Sequence, residues 1–390
     1  MTLNSGFITQ DKARDSSIRR FNFTPAGAAA TDPAVLGQSS LESIFQPSNI
    51  GPNGFQLRDT TRPTDSYNAS QKLLSYYGRM DLALYDRVNI TGGVRWEKND
   101  QFVETFQNVA NTNQSVTSTI NRTDMLPSVT GTLFLTDKQQ LRAGFSQTIS
   151  RPDFRELSPA PFTDLNTNQE TTGNPNLKQT DITNLDMRWE YYLSPNENLM
   201  ASFFWKDLTQ PIELVTLPGT AGLQTFQNAD KARVYGFEVE MLKGLGFIHP
   251  WLENFYAGGN YTWSDSNVKL NAGNLGAQTT NNRPLQGHSA HIFNFQIGYE
   301  NPGWGTQATL LYNIASKRIV SAGLLGAPDK YEQPFHQLDF VYSQTINKWL
   351  SVRLNMQNLL DDDVLVLQGG ELTRQFRRGR QFNLGVKINF

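Results

Sequence analysis

The sequence predicts an all-β chain folded as an antiparallel up-and-down transmembrane β-barrel. Three observations carry that expectation: segments of strict two-residue period, connections alternately short and long, and aromatic residues gathered at both strand ends. The composition agrees. Of 390 residues only 38% are hydrophobic and 18% charged, yet there are 24 Phe, 13 Tyr and 7 Trp. The charged share is below the roughly 25% of an ordinary soluble domain, and Asn, Gln, Thr, Ser and Gly fill the difference. Such a chain suits apolar residues placed at every second position of many strands. The absence of Cys excludes disulfide frameworks, Cys-based zinc sites and thiol catalysis. No run of about 18 apolar residues occurs, so no transmembrane helix is expected. A formal net charge of -2 argues against nucleic acid as a partner.

Taken in chain order, a weak first strand falls within residues 4–16 and a long segment follows over 17–71. Residues 72–85 put Leu74, Tyr76, Met80, Leu82 and Leu84 on one face, and Arg79 and Asp81 on the other. Beyond the Asp86-Arg87 turn, Val88, Ile90, Val94 and Trp96 oppose Asn89, Thr91, Arg95 and Glu97. Alternate side chains of a strand leave opposite faces, so each strand has one apolar and one polar side. Strands at 128–136 and 141–149 flank the turn Asp137–Gln140. Strands at 182–192 and 198–206 flank Ser194–Glu197, with Leu185, Met187, Trp189 and Tyr191 set against Asn184, Asp186, Arg188 and Glu190. The medium link 243–253 joins 232–242 to 254–264. Asn301–Gly303 joins 290–300 to 304–314, and Ile346–Lys348 joins 337–345 to 349–358. In the last strand Phe382, Leu384, Val386, Ile388 and Phe390 alternate with Gln381, Asn383, Gly385, Lys387 and Asn389. The total is about 14 strands.

Between these hairpins lie the long polar segments 99–127, 150–181, 207–231, 265–289, 315–336 and 359–379. Long links on one side only are the pattern of an outer-membrane barrel, with short periplasmic turns and long extracellular loops. A soluble sandwich has no need of that asymmetry. Trp96, Trp205, Trp263 and Tyr312 fall at the long-loop end, and Tyr85, Trp189, Tyr191, Tyr299, Tyr342 and Phe390 at the short-turn end. Two such bands match the girdles at two membrane interfaces. Arg95, Arg188, Glu190, Lys206, Glu238, Glu240, Arg353 and Lys387 fall on the polar face. A wide barrel with a wet or plugged lumen tolerates them, which leaves the apolar face toward lipid.

Four motifs, in this order, resemble the C-terminal barrel part of TonB-dependent outer-membrane receptors. The first runs from Leu126-Pro127-Ser128 to Ser150-Arg151-Pro152-Asp153-Phe154. The second is Gly173-Asn174-Pro175-Asn176-Leu177, and the third Asn358-Leu359-Leu360-Asp361-Asp362. The fourth is Gly379-Arg380, leading into a final strand that ends at Phe390. Val234–Glu240 is similar as well, and the resemblance covers about residues 70–390. It implies that about 14 strands belong to a barrel of about 22, which a plug domain fills. Residues 1–71 are then a truncated strand and a long extracellular loop, residues 72–390 the barrel region, and no plug domain, TonB box or signal peptide is visible. The expectation is a C-terminal fragment.

The function that follows from the resemblance is receptor-mediated, TonB-dependent uptake of a nutrient ligand, a siderophore, carbohydrate or similar solute, across the outer membrane of a Gram-negative bacterium. The expected partners are outer-membrane lipid, the barrel assembly machinery, an unidentified small-molecule ligand, and TonB only through the missing N-terminal part. Phe382, Leu384, Val386, Ile388 and Phe390 resemble the terminal signal that the assembly machinery reads. The alternative is a standalone 14-stranded passive channel or fatty-acid-type transporter, since an even strand count permits closure. A soluble sugar-binding protein fits the terminal strand and the one-sided loops poorly.

No catalytic constellation is visible, and no enzyme, cofactor or metal is expected. His288 and His291 are an odd number of residues apart, which on a strand sends them to opposite faces. His249 and His336 read as loop or interface residues. Asp361-Asp362-Asp363 reads as a solvated turn rather than a calcium site. Arg374, Arg377, Arg378 and Arg380 form a basic cluster that reads first as a solvated loop or as a partner of the Asp run in the same loop, and otherwise as a contact for an anionic ligand or for lipopolysaccharide phosphates. The loop candidates for ligand binding are Arg151, Phe154, Phe162, Phe226, Arg377 and Arg378, because binding residues concentrate on loops held by a rigid scaffold.

Overall fold

The structure, a computed structural model, describes residues 1–38, 40–109, 112–164, 169–218, 222–270, 278–280 and 282–389. One antiparallel sheet dominates. Fourteen strands follow one another along it in chain order, and the two-residue strand Asn282–Arg283 lies off that path. They are β1 (Thr2–Ser17), β2 (Ser66–Leu84), β3 (Val88–Val109), β4 (Thr112–Thr136), β5 (Gln139–Ser150), β6 (Thr180–Ser194) and β7 (Glu197–Thr209). The series continues with β8 (Lys231–Gly244), β9 (Phe255–Lys269), β10 (His291–Asn301), β11 (Thr306–Ala315), β12 (Phe335–Thr345), β13 (Leu350–Gln357) and β14 (Gln381–Ile388). Each expected strand is present, and the short links fall at one end of the sheet. At the β2–β3 turn Tyr85 and Asp86 both take positive φ, 53° and 55°, which suits a tight hairpin.

The apolar side of this sheet is not a core. Phe237, Val239, Met241, Phe295 and Leu384 are between 42% and 71% exposed. The aromatic bands are in place. Trp205 stacks on Tyr235 at 5.5 Å, and Tyr235 meets Trp263 at 6.1 Å. At the other end Trp251 lies 6.0 Å from Phe255, and Phe255 lies 4.9 Å from Tyr299. On the opposite face Gly236 permits the close approach of β8 and β9, since a Cβ there would lie 2.4 Å from the Trp263 carbonyl oxygen. Two small buried clusters lie at the long-link strand ends: one around Phe154 and Leu157, the other around Ala232 and Val268.

Three features differ from the expectation. Segment 99–127 is not a loop: β3 and β4 run on as one hairpin to the pair Val109–Thr112, while β4 meets β5 only from Ser128 onward. Its buried face carries Asn99, Gln101 and Thr105 around Val103, so no apolar period marks it. Pro127 sits where β4 still has β3 but not yet β5 beside it, which accommodates a residue with no N–H. Second, β1 is a full strand, paired from Thr2–Asp81 to Ser17–Ser66. Third, the other long links hold strands of their own, and residues 18–65 contain the hairpin Phe21–Pro25 with Phe55–Asp59. Among the described residues β1 and β14 do not pair with each other, so the sheet is an open barrel wall. Phe390 lies outside the described residues.

Candidate ligand-binding site

At the long-link end two small sheets stand above the barrel wall. One joins Ile212–Thr216, Gln224–Asn228, Gln169–Thr172 and Phe162–Asp164 in that spatial order. The other joins Arg318–Ser321, Lys330–Glu332, Asp363–Gln368 and Glu371–Arg377. The last hairpin turns at Gly369 and Gly370, with φ of 62° and 96°, a conformation that favours glycine at both positions. The first sheet rests on the Phe154 cluster through Ile212 and Phe226. The sheets meet where the Thr216 and Ser321 hydroxyls approach to 3.4 Å.

A cleft opens there, lined by Gln224, Ser321, Lys330, Thr373 and Arg374 among others. Neither Lys330 nor Arg374 has an ion-pair partner among the described residues. The Arg374 guanidinium lies 5.1 Å from the Phe376 ring, and its Nε is buried with no hydrogen-bond partner. The cleft therefore presents two positive charges among amides and hydroxyls.

Beneath the cleft Glu213 and Arg283 form a bidentate pair with both bonds at 3.0 Å, and their side chains are only 3% and 2% exposed. Gln278 Oε1 also accepts from Arg283 at 3.3 Å, and the Gln286 amide donates to Glu213 at 3.4 Å. This cluster ties the 212–216 strand to the 278–288 segment.

The six loop candidates divide. Arg151 is held on the lumen side of the wall, 2.7 Å from Glu97 and 3.6 Å from Asp124. Those carboxylates also pair with Arg95 and Arg122, and Arg122 reaches Asp181 at 2.8 Å. Phe154 is buried in the apolar cluster, with Phe226 packed against it. Phe162 lies under the Arg155 guanidinium at 4.1 Å. Arg377 pairs with Asp363 at 2.9 Å, and that bond raises its pKa while lowering that of Asp363. Arg378 lies over the Phe335 ring at 4.4 Å. None of the six lines the cleft between the two small sheets. The sequence pointed to Arg374 as part of a basic run. It gave no sign of Lys330, whose position depends on strand pairing across distant loops.

Several motif residues hold the structure together. The Asn358 side chain donates to the Gly379 carbonyl at 2.8 Å, its amide donates to Asp339, and Asp362 accepts from the His336 amide at 3.1 Å. The tops of β12, β13 and β14 are thereby joined. Asn174 donates to the Phe226 carbonyl at 2.9 Å, and Asp153 caps the short helix Phe154–Leu157. His288 is held between the Ser264 and Ser266 hydroxyls at 2.8 and 2.9 Å, whereas His291 meets Tyr261. On the lumen side Glu190 and Glu240 both pair with Arg188 at 3.3 Å.

The family model described as TonB dependent receptor-like, beta-barrel matches residues 4–359. No curated protein matches the chain. Among solved structures, the siderophore receptor PiuA from Acinetobacter baumannii aligns with 99% of the chain at a TM-score of 0.65 and 15% identity. The ferric-catecholate import receptor Fiu from E. coli K12 aligns with 100% of it at 0.59 and 15%. The copper transporter OprC aligns with 83% at 0.58 and 18%. The alignments span 53%, 52% and 48% of those proteins, so the chain covers about half their length.

Proposed function

The chain belongs to the TonB-dependent receptor β-barrel family, and from that premise we propose that it works in the outer membrane of a Gram-negative bacterium as the barrel of an uptake receptor for a small anionic nutrient complex. The observation that carries this reading is the cleft between the two small sheets, which Arg374 and Lys330 both line without an ion-pair partner among the described residues. An anionic, oxygen-rich solute satisfies both cations. The structural neighbours include a ferric-catecholate import receptor and a siderophore receptor, and ferric catecholates are solutes of that chemistry. Capture between the loops comes first, and passage then follows the polar lumen face lined by Glu97, Asp124, Arg151 and Glu190. Release is coupled to TonB through a plug domain. A self-sufficient channel would instead require β1 to close on β14, a pairing not seen among the described residues.

The test is uptake of a radio-iron catecholate complex by cells that carry the protein in its native setting. The Arg374→Ala and Lys330→Gln alleles are each expected to lower uptake about tenfold, the effect of losing roughly 1.4 kcal/mol of binding. Equal uptake in all three strains, at equal amounts of protein in the membrane, rejects the cleft as the capture site.

A further inference from the structure

Lys231 on β8 and Lys269 on β9 are direct cross-strand partners, and both are exposed on the outward, lipid-side face. Their neighbours Ala232 and Val268 point the other way and are buried, which fixes the orientation of the two lysines. Like charges directly opposite each other on adjacent strands destabilise a sheet. Relief is only partial: the Asp207 carboxylate attracts Lys231 from the adjacent strand without reaching ion-pair distance. The two carboxylates on this face are already engaged: Asp207 accepts from Arg233 at 2.8 Å, and Asp265 accepts from the Tyr235 hydroxyl at 3.0 Å. Neither lysine has an ion-pair partner among the described residues.

The position of the pair relative to the aromatic row suggests what relieves it. Trp205, Tyr235 and Trp263 form a continuous row across β7, β8 and β9. One residue pair above it, Arg233 lies over the Trp205 ring at 4.5 Å. Lys231 and Lys269 come next, about 13 Å along the strand from Tyr235, or roughly 9 Å along the membrane normal for a strand tilted about 45°. Aromatic rows sit at the headgroup level, and long basic side chains keep their charge there while their stems lie along apolar surface. The outward surface above this row thus carries three basic residues in adjacent register positions, with Asp207 and Asp265 hydrogen-bonded to Arg233 and Tyr235.

We propose that Lys231 and Lys269, with Arg233 beside them, bind the phosphate of an anionic lipid headgroup in the leaflet on the long-loop side. The proposal rests on the membrane orientation proposed above. One phosphate placed between the two ammonium groups converts a repulsive pair into a bridged one.

The experiment uses protein purified from its own outer membrane and reconstituted into phosphatidylcholine nanodiscs, with or without the phosphorylated glycolipid lipid A. Bound lipid is counted by native mass spectrometry. The wild type is expected to retain lipid A but little of its dephosphorylated form. K231Q/K269Q is expected to lose at least tenfold in occupancy, with unchanged heat-modifiable mobility on a gel. Equal retention by wild type and variant overturns the proposal, as does equal retention of the dephosphorylated lipid. Complete displacement by millimolar inorganic phosphate reveals an ion site rather than a headgroup site and overturns it too. A wild type that enters the bilayer and holds no lipid A defeats this proposal alone. A wild type that fails to enter defeats the membrane reading as well.

Discussion

Glu213 and Arg283 show how much of the loop architecture depends on single residues. Their pair is buried, bidentate and shared between two loops distant in sequence. A desolvated pair of this kind adds little over a well-packed apolar pair, but removing one partner strands the other charge. Arg283→Met is therefore expected to cost about 3–5 kcal/mol of local stability, and Glu213→Leu added to it should restore most of that. Amide hydrogen exchange over 212–216 and 282–288 measures both effects, and additive losses in the double variant would contradict the pairing argument. Neither residue stands out in the sequence, because each lies in a polar loop and its partner is set by tertiary structure. Arg151 illustrates the same limit. Its residue type and loop position suit a ligand contact, yet Glu97 and Asp124 on neighbouring strands occupy its guanidinium.

At the scale of the element, legibility depended on which face was apolar. The strands from β5 to β14 were readable because lipid-facing residues recur with period two. The upper half of the β3–β4 hairpin was not, since Asn99, Gln101 and Thr105 interrupt its buried face on either side of Val103. The two small sheets were hidden for the same reason, although Val364 and Val366 alternate and Gly369-Gly370 marks a turn. The segment before β10 yields a pH prediction. Burial lowers the pKa of His288 from its ordinary 6.5, while the nearby Asp265 opposes that shift. The unfolded segment then takes up a proton below pH 6.5 that the folded segment refuses. Local stability is thus full above that pH, falls as pH drops through it, and levels off once the folded ring is protonated. Hydrogen exchange of residues 285–291, corrected for intrinsic rates, should accelerate relative to the rest of the chain as pH falls past 6.5. In His288→Gln the pH dependence should vanish, and its persistence would place the titration elsewhere.

The whole molecule is governed by its two sheet edges. Every strand between β2 and β13 is paired on both sides, whereas β1 and β14 each have one neighbour among the described residues. In water such an edge is a liability, and in hydrocarbon it is prohibitive, because each unpaired backbone group costs several kcal/mol. The outward residues of β14 sharpen the conflict. Phe382, Leu384, Val386 and Ile388 are 51–71% exposed, so the strand suits lipid on its face but not along its free edge. Those two demands are met together only when both edges are paired, as further strands would do. The 390 residues refolded alone into detergent micelles are therefore expected to form a protease-sensitive aggregate without heat-modifiable migration. Protein taken from its native membrane should show that migration and resist protease. Leu384→Lys in the native setting isolates the contribution of the face. A lysine toward lipid near the bilayer midplane costs about 2–4 kcal/mol, so the amount of folded protein in the membrane should drop severalfold. Lys387→Leu, on the opposite face of the same strand, should leave it nearly unchanged. A discrete, heat-modifiable band from the isolated chain would mean that β1 and β14 can close on each other after all, and the passive-channel reading would then regain its footing.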